Sequence, residues 1–449
     1  MNNFIAKRRL LFVLVATILG SSVALLDGTI VNLALPKIGA QLHVGFSALQ
    51  WIVDGYMLAL SSLILLGGSL GDIFGRKRVY LLGLLGFGVG SLLCALSPNA
   101  VLLVVFRIVQ GVFGALLVPG GLSVINTNFG RAERGQAIGR WTAWLSISMI
   151  LGPLVGGIIL DVASWRWIFL INVPLVALCF MAAMPSITES RDARVRHVDI
   201  PGAGMALVSL AGLTYGLIQG PADHWRALPI TGLIIGAAAG LYFLFIESRS
   251  RDPMVPLQLF RSRNFSGSNI MTFGMYGALS GFLVSLVIYM QQRIGYSSLQ
   301  TGLSTLPISI LMFFFAGQTG KLASRYGARL FMTAGPIITG IGVASLYGLH
   351  HGSSYIFGVM PGVLLFGIGL VLTVAPLTTT VMMAVDEKDS GIASGINNAV
   401  SRAAGLIVVA VLGLLGVGHV YHFSIVLCAG LAIGAGVISY LFIERLPGR

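Results

Sequence analysis

Asp27, Asp54 and Arg107 are the residues best able to do chemistry in this chain, because each lies well inside a long apolar run rather than at its edge. Asp27 is the single charge between Leu10 and Ala34. Even lenient insertion scales make a mid-bilayer aspartate unfavourable by about 2.5–3.5 kcal/mol, so such a group faces a polar cavity or a partner and marks an ion or substrate path. Arg107 cannot lose its proton, and burying it calls for an acid or a carbonyl. It begins a face of polar and small residues at helical spacing, Arg107, Gln110, Gly111 and Gly114.

Three charges at one depth suggest a switch. The first span runs outward and the fourth inward, and at about 1.5 Å per residue Asp27 and Arg107 both fall about 10 Å below the outer surface. Asp54 falls in the same layer, with Gln50 one turn above it. Protonating Asp27 would free the hydrogen bonds of Arg107 and couple a proton to a helix rearrangement. The alternative is a static buried ion pair, and Asp54 belongs either to the switch or to a wet outer vestibule where it stays ionised.

These residues need long apolar helices to hold them. The 449 residues are 56% hydrophobic and 10% charged, with mean hydropathy +0.91. That balance excludes a water-soluble domain and implies an all-α polytopic membrane protein. Fourteen apolar stretches reach the length of about 20 residues that a span needs: residues 10–34, 48–70, 80–97, 101–126, 136–160, 166–185, 201–219, 229–246, 267–290, 298–318, 330–349, 355–383, 391–417 and 422–443. They are continuous runs, whereas β-barrel strands alternate over about ten residues. The 59 glycines fit closely packed membrane helices.

Net charge is +13, and its distribution excludes a nucleic-acid reading. Most of the 28 Lys and Arg fall in alternate loops on one side, with Lys37, Arg166, Arg226 and Arg293 on the other. The positive-inside rule then places both termini in the cytoplasm. Cys94, Cys179 and Cys428 sit in apolar spans with no metal or disulfide spacing, and the seven histidines lie in loops or span ends. No metal and no cofactor is expected.

The chain repeats itself. Gly68-Ser-Leu-Gly-Asp-Ile-Phe-Gly75-Arg-Lys-Arg follows the second span, and Gly320-Lys-Leu-Ala-Ser-Arg-Tyr-Gly327-Ala-Arg follows the tenth. The offset implies two related six-span halves, at 1–185 and 266–449, with a linker at 186–265 that holds two additional spans. Glycines let helix ends approach, Asp72 can cap or face a helix N-terminus such as Ser390-Gly391, and Arg76 and Lys77 anchor the cytoplasmic surface. The bland reading is that the basic cluster only enforces topology.

At Gly68, Leu70, Asp72, Gly75, Arg76 and Lys77 the chain resembles the major facilitator superfamily, whose loop after the second helix reads G-x-L-x-D-x-x-G-R-K. Leu26–Pro36, Trp165–Pro174 and Gly391–Arg402 are similar to its fourteen-helix drug:proton antiporter group. The resemblance implies two six-helix bundles plus two central helices, and a gating role for the loop. Gly152, Pro153, Gly156 and Gly157 match an exporter-associated pattern whose first glycine is Ser148 here; a plain packing kink is the alternative.

Other residues carry open readings. Arg402, on the same side as Asn398, either lines a cavity and favours anionic or polar substrate groups or hydrogen-bonds carbonyls as a packing residue. Trp51, Tyr56, Trp144, Tyr276 and Met290 are candidates for a greasy cavity, against lipid-facing or core roles. No phosphate-cradling loop and no nucleophile–base constellation appears, so an enzyme is not expected. The expectation is a proton-driven, monomeric exporter of lipophilic small molecules in a bacterial cytoplasmic membrane. Its rivals are an exporter of one endogenous metabolite, lipid or peptide, an uptake symporter, and a non-transporting scaffold. Spans 9–14 hold no interior acid, which predicts poor recognition of dications and preference for neutral, zwitterionic or monocationic compounds.

Overall fold

The computed structural model describes residues 2–191, 199–250, 253–385, 390–415 and 420–444. Arg194, Arg196, His197, Arg251, Lys388, His419, Arg445 and Arg449, which belong to the loop and terminal expectations above, lie outside the described residues. The described residues form helices without strands: α1 (Asn2–Leu42), α2 (Phe46–Phe74), α3 (Arg76–Leu96), α4 (Ala100–Asn128), α5 (Arg131–Val162), α6 (Trp167–Leu170), α7 (Asn172–Ser186), α8 (Ile200–Ala222), α9 (Ala227–Arg249), α10 (Arg263–Tyr289), α11 (Ser298–Tyr326), α12 (Ala328–Ser345), α13 (Met360–Met383), α14 (Ser390–Val411) and α15 (Val420–Phe442).

Thirteen spans among the described residues are long and apolar enough to cross a membrane. The expected fifth span falls on α5, whose described apolar stretch is Leu151–Val162. Beyond Arg140 the sequence runs uncharged from residue 141 to residue 160, and the helix is unbroken through it. The sixth span is two pieces, α6 and α7, joined at Ile171.

Two compact units divide the chain, Met1–Leu207 and Val208–Arg449, with the boundary inside α8. In the first, α1 packs on α5 and α7, α4 on α2 and α3, and α3 on α7. In the second, α10 packs on α14 and α15, α13 on α11 and α12, and α12 on α15. The same pattern of neighbours thus recurs, as the sequence repeat requires. The repeated loop also folds alike: Gly75 has φ 115° and ψ 125°, and Gly327 has φ 94° and ψ 134°. That left-handed region is open to glycine without a Cβ penalty.

Each unit has its own apolar core, around Tyr56, Leu60, Tyr80 and Phe87 in the first and Phe265, Met275, Phe282 and Phe366 in the second. Small residues set the closest approaches. A Cβ on Gly67 of α2 would lie 2.1 Å from the Ala115 carbonyl oxygen of α4. The additional helices α8 and α9 meet in the same way: a Cβ on Gly212 would lie 2.6 Å from the carbonyl oxygen of Gly232.

Candidate functional site

Two helices of the first unit, α4 and α7, bring polar side chains onto Asp27 of α1. Arg107 Nη1 donates to Asp27 Oδ2 at 2.5 Å. Gln110 Nε2 and Asn172 Nδ2 donate to Oδ1 at 3.0 and 3.1 Å. Asp27 and Arg107 are each 1% exposed. Arg107 and Gln110 share a face of α4 because they are three residues apart, and Arg107 Nη1 also reaches Gln110 Oε1 at 2.6 Å. Asn172 is the first residue of α7, and Ser91 of α3 accepts from both Gln110 and Asn172 at 2.8 and 3.3 Å.

The guanidinium is held on three further sides. Its Nε donates to the Ile52 carbonyl of α2 at 3.1 Å. Its carbon lies 4.3 Å from the Tyr56 ring centroid and 5.8 Å from that of Phe169, both within cation–π range. Tyr56 in turn meets Phe87 edge to face at 6.5 Å. Removing either charge would leave the other buried and uncompensated, which makes the pair the most constrained polar element of the unit.

Asp54 stands differently. It is fully buried, and neither carboxylate oxygen has a hydrogen-bond partner. The residue two positions earlier on α2, Ile52, supplies the carbonyl that holds Arg107, so the second acid belongs to the same turn of α2 that supports the pair. Gln50, one turn earlier, is buried.

The remaining candidates are dispersed. Trp51 is half-buried and Trp144 is 53% exposed. In the second unit Met290 is fully buried in the core, Tyr276 is half-buried against it, Asn398 is exposed and Arg402 is half-buried. Along α5, Pro153 and Gly157 are buried, and Cβ atoms on Gly152 and Gly156 would press on Thr29 Oγ1 and Ile30 Cγ2 of α1 at 2.5 and 2.8 Å. The helix continues through Pro153.

In the repeated loop Arg76 pairs with Asp72 at 2.7 Å, one turn back along the chain. Gly68 and Lys77 are half-buried. Glu189, which the sequence did not single out, sits over Gly75: its Oε1 accepts from the Lys77 and Ser190 amides, both at 3.1 Å, and Arg78 lies 3.7 Å from Oε2. A carboxylate at the start of α3 meets the positive end of that helix. The side chains of Ser390 and Gly391, the expected partner of Asp72, lie outside the described residues.

Sequence reasoning also missed Asn172 and Ser91. Both are neutral, and single neutral polar residues barely change the hydropathy of a span. Asn172 did lie in the Trp165–Pro174 segment, and an amide opening an apolar helix was the available signal. Among the described residues no group of three or more His, Cys, Asp or Glu could hold a metal ion.

The fold and this buried acid–arginine cluster define a helical membrane transporter, and the chain belongs to the Major Facilitator Superfamily, whose family model matches residues 17–409. It is 35% identical over 409 residues to the multidrug resistance protein Stp of Mycobacterium tuberculosis, covering 91% of this chain and 76% of that one. It is 31% identical to the tetracenomycin C resistance and export protein of Streptomyces glaucescens, covering 90% and 75%. To the methylenomycin A resistance protein of Bacillus subtilis it is 32% identical, covering 90% and 87%. Among solved structures it resembles a D-xylose–proton symporter (TM-score 0.67, 16% identity, 98% of each chain) and a POT family transporter bound to 5-aminolevulinic acid (TM-score 0.73, 14% identity, 96% and 95%). Those two likenesses concern the fold. Together the apolar helices and bacterial relatives make this a multi-pass protein of the cytoplasmic membrane.

Proposed function

We propose that this chain is a proton-coupled antiporter that exports lipophilic small molecules by alternating access, with fourteen spans, both termini in the cytoplasm and the monomer as the working unit. The observation that carries the reading is the fully buried Asp27–Arg107 ion pair with an unpartnered acid, Asp54, on the supporting turn of α2. The relatives support the direction, since those named above are resistance or export proteins.

Protons act through this chain's own residues. Protonating Asp27 removes the charge that holds Arg107, so Gln110, Asn172 and the Ile52 carbonyl must be redistributed, and α1, α2, α4 and α7 change their contacts. Asp54 is the second carrier: a buried carboxylate without a donor is far less costly as the neutral acid. Each charge crossing 100 mV supplies about 2.3 kcal/mol, enough for roughly tenfold to hundredfold accumulation per proton. Gly152 and Gly156 keep α5 close to the α1 turn that follows Asp27, so movement there is transmitted. Without acids in the interiors of α10 to α15, dications are poor substrates.

The test is flux in proteoliposomes with an imposed pH gradient, comparing wild type with Asp27→Asn across a compound panel. Gradient-driven flux should fall at least tenfold in the variant, while substrate exchange without a gradient persists. Undiminished gradient-driven flux would remove Asp27 as the obligatory carrier. No substrate flux in wild type would return the scaffold reading.

A further inference from the structure

Arg402 has no counterpart to the partners that surround Arg107. The helices α10 to α15 carry Arg263, Lys321, Arg325 and Arg329 toward their ends, and Arg402 is the charged residue farthest from either end of its helix. It lies twelve residues beyond the start of α14, which begins at Ser390, or about 18 Å along a helix that is itself about one bilayer core in length. It makes no hydrogen bond and no ion pair among the described residues, yet it is only half-buried. An arginine that cannot lose its proton is not left against lipid tails at that depth; it faces a wetted cavity or an anion.

Its surroundings are polar and lie on two adjoining helices of one unit. Asn398 precedes it by one turn on the same face and is exposed. On α10, Tyr276 is half-buried, and a Cβ on the next residue, Gly277, would lie 3.5 Å from the Ala404 carbonyl oxygen of α14. Ser280, one turn from Tyr276, abuts the next turn of α14: a Cβ on Gly405 would lie 2.6 Å from Ser280 Oγ. Behind this face Asn397 is tied inward, donating to Asn269 Oδ1 at 3.2 Å and Thr272 Oγ1 at 2.7 Å. Those bonds fix the rotation of α14 about its axis and so fix where Arg402 emerges.

We propose that Arg402, on the part of α14 that packs against the Tyr276–Ser280 turn of α10, is an anion subsite that receives the carboxylate or phenolate of a lipophilic substrate. The guanidinium offers a planar fork of donors matched to two carboxylate oxygens. Asn398 supplies an amide for a neighbouring oxygen. Among the neutral, zwitterionic and monocationic compounds expected from the sequence, the subsite favours zwitterions and extends the range to monoanions. It rests on the exporter reading, because it assigns the anion to the cargo.

The experiment uses the full chain in phosphatidylcholine nanodiscs and two probe pairs, 2-naphthoate with its methyl ester and 1-pyrenebutyrate with its methyl ester, with binding read by tryptophan fluorescence. Wild type should bind each acid at least tenfold more tightly than its ester. Arg402→Gln should bring that ratio to about one, and Arg402→Lys should keep part of it. Equal binding of acid and ester by wild type would overturn the subsite, as would a parallel loss of both in Arg402→Gln, which marks a packing role. Replacing half the lipid with phosphatidylglycerol separates sources: loss of the preference there assigns the site to a lipid headgroup and overturns the substrate assignment. Gradient-driven flux of the same probes distinguishes the two readings. An Arg402-dependent preference without flux rejects the exporter and keeps the anion site, whereas flux of both forms unchanged by Arg402→Gln rejects the subsite alone.

Discussion

Where α1 and α4 meet in the first unit, an aspartate and an arginine touch at 2.5 Å; where α10 and α13 meet in the second, Phe282 and Phe366 pack with centroids 4.6 Å apart. The two helix pairs occupy equivalent places in the repeated pattern of neighbours. One architecture therefore closes the same junction with a charge pair or with two aromatic rings. A buried ion pair rarely exceeds a well-packed apolar pair in stability, so the second unit shows that the fold does not require the charges of the first. On the proposed antiport reading, the charges do what an aromatic pair cannot, taking up and releasing a proton.

Several substitutions would break or sharpen that contrast. The largest effect is expected for Arg107→Leu, which strands Asp27 and should cost about 3–5 kcal/mol in stability along with all gradient-driven transport, read by thermal melting in detergent and by vesicle flux. Phe366→Leu in the second unit should cost only about 1–1.5 kcal/mol, being an apolar exchange. Next, the double change Asp27→Leu with Arg107→Phe imitates the second unit inside the first. It should recover most of the stability lost in the single variant while transport stays absent. If the double variant is as unstable as Arg107→Leu, the equivalence of the two junctions fails.

Smaller effects test what the units share. Gly67→Ala sets a methyl 2.1 Å from the Ala115 carbonyl oxygen, and Gly369→Ala sets one 2.5 Å from that of Gly335. Both should lose about 1–3 kcal/mol through overpacking, whereas Gly28→Ala, with nothing within 4 Å, should be near neutral. Unequal costs would mean that the halves do not rely alike on close helix contact. The smallest effect is expected for Asn397→Ala, which loses two hydrogen bonds at about 0.6 kcal/mol each in a membrane interior. Its clearer readout is a weakened acid-over-ester preference, because Asn397 orients the face that carries Arg402.

Opposite charges in apolar runs were legible in the sequence, because charge is costly there; in the structure Asp27 and Arg107 pair at 2.5 Å. The repeat was legible too, since two glycines at a fixed offset demand the same turn, and Gly75 and Gly327 share it. Asp54 was expected in the same layer, but helical rise does not say which way a side chain turns, and it finds no donor. Asn172 and Ser91 were hidden because neutral groups leave no mark on hydropathy. Glu189 was hidden because an acid in a polar loop is ordinary until the chain folds it over Gly75. Thirteen spans stand out among the described residues, and the expected fifth lies on the unbroken α5, where residues 141–160 carry no charge.

The segment after α7 has a mechanical consequence. Ser186 accepts from Arg9 of α1, Thr188 donates to Asn128 of α4, and Ser190 accepts from the Arg76 amide at the start of α3. Five residues thus lash three helix ends together just where the chain departs toward α8. Any pull arriving along that strap is shared by three helices at once and turns the first unit as a single lever, instead of peeling one helix from its neighbours.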